Sequence, residues 1–139
     1  MTKTPAGTHC ILELFECPSD LLNDELFVRD ALKEASRRSM STLLEISSHS
    51  FQPQGVTAIG LLAESHISIH TWPENGYAAI DVFTCGQSSD PRQACAYLIH
   101  RLSAGRHHLL VLSRGGAAPA VQISPNAKRQ ETVLCRARN

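Results

Sequence analysis

Apolar and polar positions change period several times along the 139-residue chain, and each change marks an element. Cys10–Phe15 (CILELF) is dense in apolar and branched residues and predicts a first strand. From Asn23 to about Ser39 the period lengthens, with Phe27, Val28, Ala31, Leu32 and Ala35 recurring at helical spacing. Asn23 suits the N-cap, Asp24 and Glu25 fall in the first turn, and Arg37 and Arg38 fall in the last. Period two returns over Thr42–Ser50, where Leu44 and Ile46 alternate with Glu45 and Ser47. After the break Phe51-Gln52-Pro53-Gln54-Gly55 it resumes over Val56–Ala63. An extended run then passes through Ile67 and Ile69 to Trp72. Pro73–Gly76 is a turn signal, and Tyr77–Cys85 is a strand closed by Gly86. Asp90-Pro91 opens a second helix over about 91–103, with Ala94, Tyr97, Leu98 and Leu102 inward. Leu109–Leu112 predicts the last strand.

This order predicts one α+β domain over residues 1–115, a two-layer sandwich with two helices on one face of a mostly antiparallel sheet. The other face is left for solvent or a partner. Residues 116–139 read as a flexible tail, carrying four basic residues against one acidic.

Composition narrows the function classes. Apolar residues make up 42% and charged residues 19%, ordinary for a globular protein. No apolar run approaches the roughly 20 residues of a membrane span. Thirteen basic residues balance thirteen acidic ones. That balance lacks the positive excess expected of a general nucleic-acid or membrane-surface binder. Five cysteines, an odd number without a CxxC pair, favour reduced thiols over a disulfide framework. With no secretory signal pattern, a cytoplasmic location is the expectation.

Candidate chemistry crowds into Glu64-Ser65-His66-Ile67-Ser68-Ile69-His70-Thr71-Trp72-Pro73-Glu74. In an extended segment, His66, Ser68 and His70 share one face, and Ile67 and Ile69 take the other. A serine-hydrolase reading lacks the G-x-S-x-G elbow. A zinc site from His66, His70 and Cys85 lacks the HExxH pattern, so no metal is expected. On residue types alone, a polar strand with satisfied hydrogen bonds and no chemistry is the favoured reading.

The string AESHISIHTWPE, followed by YAAIDVFTCG, resembles the processing and active-site region of the bacterial-type S-adenosylmethionine decarboxylases. LLNDE, FQPQGV and DP…AC…L extend the resemblance over roughly residues 8–115. It implies that the precursor cleaves itself between Glu64 and Ser65, giving a chain of residues 1–64 and a chain of 65–139. In that chemistry the Ser65 hydroxyl attacks the Glu64 carbonyl, converting the amide to an ester. Loss of the Ser65 α-proton eliminates the ester to a dehydroalanine, which hydrolyses to a pyruvoyl group and ammonia. The resemblance makes His70 the base in processing and Cys85 the proton donor in catalysis. The pyruvoyl cofactor made from Ser65 would form a Schiff base with the amine of S-adenosylmethionine, which is decarboxylated for spermidine synthesis.

Phe51 and Trp72 suit stacking on an adenine or a sulfonium, and Glu74 suits the ribose hydroxyls. Thr57 offers a hydroxyl where relatives commonly carry serine. The resemblance also implies a homodimer of processed protomers with sites at or near the interface. Two other readings stand beside it: the same chemistry on ornithine or arginine, and an unprocessed regulatory dimer.

Cleavage after Glu64 would split the balanced charge into a fragment of −4 and a fragment of +4.

Overall fold

A computed structural model describes residues 5–116 and 120–125. Seven strands form one sheet, β1 (Gly7–Phe15), β2 (Leu43–Ser50), β3 (Val56–Leu62), β4 (Ser65–Trp72), β5 (Tyr77–Cys85), β6 (Arg106–Arg114) and β7 (Ala120–Pro125). Their order is β2-β3-β4-β5-β1-β6-β7, and every neighbouring pair is antiparallel. A single helical turn, α1 (Ser19–Leu22), precedes the two main helices α2 (Glu25–Arg38) and α3 (Pro91–Arg101). Both main helices lie on one face of the sheet, α2 over β2 and β3 and α3 over β1 and β5. The α+β expectation therefore holds.

The core forms between that face and the helices. Leu12 and Leu14 of β1, Ile67 and Ile69 of β4, and Val82 of β5 meet Leu32 of α2 and Leu98 of α3, all fully buried. Strict alternation sets the register, because a one-residue slip of β4 would bring His66, Ser68 and His70 into the core. Each fully buried Leu or Ile contributes about 1.5–3 kcal/mol, so such a slip is excluded energetically. Whatever chemistry β4 carries is thus forced onto the helix-free face.

Some boundaries differ from expectation. Helix α2 starts one residue later, capped by Asp24, whose carboxylate accepts the Phe27 N–H at 3.0 Å. Asn23 instead accepts the Gly55 N–H at 3.0 Å, tying the helix entry to the loop before β3. Leu44 does not face the core. It is 61% exposed at a register shift between Leu43 and Glu45, so Leu43 and Ile46 supply the inward positions.

Six residues of the expected tail form β7, the edge strand beside β6. Residues 117–119 and 126–139, including Cys135, lie outside the described residues. Among the described residues, no helix is long and apolar enough to cross a membrane.

Candidate active site

The helix-free face has a polar centre between apolar borders. Ile59 and Leu61 of β3 are 47% and 51% exposed on one side, and Val121 and Ile123 of β7 are exposed on the other. Between them β4 presents His66, Ser68 and His70, as alternation predicts. The adjacent β5 presents Asp81 and Phe83.

At the hairpin joining β3 to β4, the Glu64–Ser65 peptide is held from both sides. The Glu64 carboxylate accepts the Thr42 N–H at 2.9 Å, while its backbone carbonyl accepts the Cys85 N–H at 2.9 Å. An N–H aimed at this carbonyl is placed to stabilise the negative charge that builds on the oxygen when the carbon is attacked. Ser65 itself has φ +152°, a region that residues other than glycine rarely occupy. Such a conformation costs about 1–3 kcal/mol and persists only where surrounding contacts impose it. Cys85 ends β5 with an exposed side chain and a backbone amide already engaged with the Glu64 carbonyl. The structure thus brings Glu64, Ser65 and Cys85 together.

His70 belongs to a second cluster. Its Nδ1 lies 2.9 Å from the Thr57 hydroxyl. The two residues share a hollow of about 300 Å³ with Phe51, Trp72 and Glu74. Every residue expected to contact substrate therefore lines one cavity with the expected processing base. The Trp72 ring lies 6.5 Å from His70 and 5.1 Å from Tyr77. Phe51 is 47% exposed at the cavity mouth, edge-on to His49 at 4.6 Å. Yet His70 is five residues along β4 from Ser65, about 16 Å at strand rise. Within one chain His70 does not reach Ser65.

A third cluster was not anticipated in the sequence. Asp81 accepts from His9 Nε2 at 2.8 Å and from His66 Nε2 at 2.7 Å, and its other oxygen accepts the Ser68 hydroxyl. Burial pushes the Asp81 carboxyl up, but hydrogen bonds from Ser68, His66 and His9 together outweigh it and hold the carboxyl below its ordinary value. The Asp81 position on the β5 face was legible by alternation, but its pairing with His9, 72 residues away, was not. The donors considered for zinc in the sequence, His66, His70 and Cys85, are not assembled. Among the described residues, the set that could hold a divalent cation is His9, His66 and Asp81, whose donor atoms lie within 4.8 Å of one another. Here they are satisfied by hydrogen bonds to one another.

Comparison with known proteins gives a consistent result. The family model described as S-adenosylmethionine decarboxylase matches residues 8–115. An S-adenosylmethionine decarboxylase proenzyme of Parasynechococcus marenigrum is 59% identical over 103 residues, covering 74% of this chain and 80% of the relative. One from Prochlorococcus marinus is 56% identical over 108 residues, covering 78% and 86%. The crystal structure of the adenosylmethionine decarboxylase from Aquifex aeolicus superposes with a TM-score of 0.77 at 37% identity, covering 81% of this chain and 93% of that one.

Proposed function

The chain belongs to the S-adenosylmethionine decarboxylase family, and from that premise we propose how its residues make and use the catalytic group. It is a self-processing, pyruvoyl-dependent S-adenosylmethionine decarboxylase proenzyme, with the pyruvoyl group derived from a serine. In our reading that serine is Ser65. The observation that carries this is the Glu64 carbonyl, held by the Cys85 N–H beside a serine in a strained conformation. The Ser65 hydroxyl adds to the Glu64 carbonyl carbon, the Cys85 amide steadies the oxygen, and the peptide nitrogen leaves as the ester forms. His70, held through Nδ1 by Thr57, removes the Ser65 α-proton and the ester is eliminated. Water then replaces the nitrogen of the resulting dehydroalanine, so the products are residues 1–64 ending in a carboxylate, residues 65–139 beginning with the pyruvoyl group, and ammonia.

The pyruvoyl carbonyl supplies the electron withdrawal that decarboxylation of an amino acid requires. Around it, the exposed Cys85 thiol delivers the proton that replaces the lost carboxylate. Phe51 and Trp72 take the adenine and the sulfonium, and Glu74 takes the ribose hydroxyls. No metal is needed for these steps.

The distance from Ser65 to His70 favours a site shared between two protomers. A two-fold dimer packing its helix-free faces together brings the His70 cavity of one protomer over the Ser65–Cys85 corner of the other. The exposed Ile59, Leu61, Val121 and Ile123 supply the apolar border of that interface. Each completed site then takes Ser65 and Cys85 from one chain and Thr57, His70, Phe51, Trp72 and Glu74 from its partner. We place the protein in the cytoplasm, where its free thiols Cys10, Cys17 and Cys95, all buried, stay reduced.

Intact-mass measurement tests the processing. Purified protein should give two fragments, with pyruvate at position 65, while Ser65→Ala stays one inactive chain. Labelled carbon dioxide should be released from S-adenosylmethionine and not from ornithine or arginine. A wild-type chain that stays whole on prolonged incubation contradicts the assignment of Ser65.

A further inference from the structure

We propose that Arg114 receives the α-carboxylate of the substrate, an inference that rests on the assignment of Ser65 as the pyruvoyl precursor. The register places Arg114 in line with that corner. Cys85 of β5, Gly7 of β1 and Arg114 of β6 occupy one row across three adjacent strands, with side chains toward the helix-free face. Two strand spacings, about 10 Å, separate the Cα atoms of Cys85 and Arg114. The middle residue is glycine, so no side chain of β1 stands between them. A Cβ on Gly7 would come within 2.8 Å of the Phe83 ring and 2.7 Å of the Thr84 carbonyl oxygen. The Phe83 ring leans into the space thus left, and the Arg114 guanidinium lies over it, 4.7 Å from the centroid.

The guanidinium is oriented and has no carboxylate partner among the described residues. Its second contact is a long hydrogen bond, 3.5 Å, to His9 Nδ1. Arginine can only donate, so Nδ1 accepts. That fixes the His9 proton on Nε2, where it is donated to Asp81 at 2.8 Å. Asp81 therefore positions Arg114 through His9 without neutralising it directly. Beside Arg114 a hollow of about 530 Å³, lined by His9 and by Leu112 to Gly116, opens on the same face. That volume lies in the range of small-molecule sites.

An amino acid whose amine is captured at residue 65 carries its carboxylate one bond from the reacting carbon. A planar guanidinium fork matches that carboxylate with two parallel hydrogen bonds. The product amine lacks the carboxylate, so Arg114 favours substrate over product and leaves product release unhindered. Because this bond is made before carbon dioxide departs, its loss shows in KM more than in kcat.

The test compares wild type, Arg114→Gln and Arg114→Lys for self-cleavage, for KM, and for inhibition by the carboxylate-free product amine. All three should cleave normally. Arg114→Gln should raise KM for S-adenosylmethionine roughly tenfold to hundredfold, the loss of a charge-assisted bidentate contact. Its inhibition constant for the product amine should stay within about twofold of wild type, and the lysine variant should recover part of the KM. An unchanged KM overturns the proposal, as does a parallel weakening of substrate and product amine, which marks a structural role. Lack of cleavage in wild type overturns the Ser65 assignment and the role of Arg114 with it. Normal cleavage with unaltered KM overturns the role of Arg114 alone.

Discussion

Replacing Asp81 with alanine removes the acceptor of three hydrogen bonds at once, from Ser68, His66 and His9. A hydrogen bond to a charged group contributes about 1.5–3 kcal/mol. The bonds share one carboxylate and do not add. Water also reaches the cluster, since side-chain exposures are 28% for Asp81, 38% for His66 and 16% for His9. A loss of about 2–4 kcal/mol is therefore expected near pH 7. The folded-state carboxyl lies below its ordinary value, so its contribution is complete above the unfolded pKa and fades as pH falls through the lower native one. The assay is urea denaturation in a Ser65→Ala background at fixed protein concentration, so that one uncut chain unfolds. The gap between Asp81→Ala and its parent should narrow below about pH 4. Glu34 is the control. Hydrogen bonds from Arg37 and Arg38 depress its carboxyl to about 2, but it sits on the outer face of α2, where such pairs stabilise little. Glu34→Ala should leave the denaturation midpoint where it was. If Asp81→Ala costs no more than Glu34→Ala, or costs the same at both ends of the pH range, the cluster does not stabilise the fold.

Two other outcomes follow from the site. Among the described cysteines, alkylation at pH 8 should modify the exposed Cys85 first and stop turnover, with Cys17 protected because burial pushes its thiol up to about 11. Peptide mass mapping of the modified protein checks this, and prior labelling of Cys17 would contradict it. Thr57→Val removes the hydroxyl 2.9 Å from His70 Nδ1 and should slow self-cleavage about tenfold to hundredfold, whereas Thr57→Ser should keep it near wild type. Gel densitometry over time reads both, and equal rates for valine and serine would remove the positioning role of Thr57.

The elements were legible where one face of the period is fully buried. The stripe Val28, Ala31, Leu32 and Ala35 of α2, and Ile67 and Ile69 of β4, lie where the pattern puts them. Helix α1 was missed because four residues cannot display a helical period. Strand β7 was missed because Val121, Gln122 and Ile123 are all exposed on an edge strand, a pattern shared with a solvated segment. Leu44 misled because a bulge breaks the alternation that its neighbours obey.

The residues of β4 proposed to react were singled out by the resemblance of one short string to a family. Their arrangement was not. The bond from the Cys85 amide to the Glu64 carbonyl, the Asp81–His9 pair and the row Cys85–Gly7–Arg114 all arise from strand register between distant segments. The same register separates Ser65 from His70 along one strand. A string that reads as one compact motif is, in space, two separate clusters.

In the proposed dimer, His70 of one chain acts on Ser65 of its partner. Co-expressing Ser65→Ala and His70→Ala chains, with tags of different mass, tests it most directly. Alone, neither should cleave. Together, the mixed dimer contains one complete site, with Ser65 from the His70→Ala chain and His70 from the Ser65→Ala chain. Intact mass should then show the His70→Ala chain cut after Glu64 and the Ser65→Ala chain whole. A His70→Ala chain that remains uncut in the mixture, while wild type cleaves under the same conditions, would contradict the shared site.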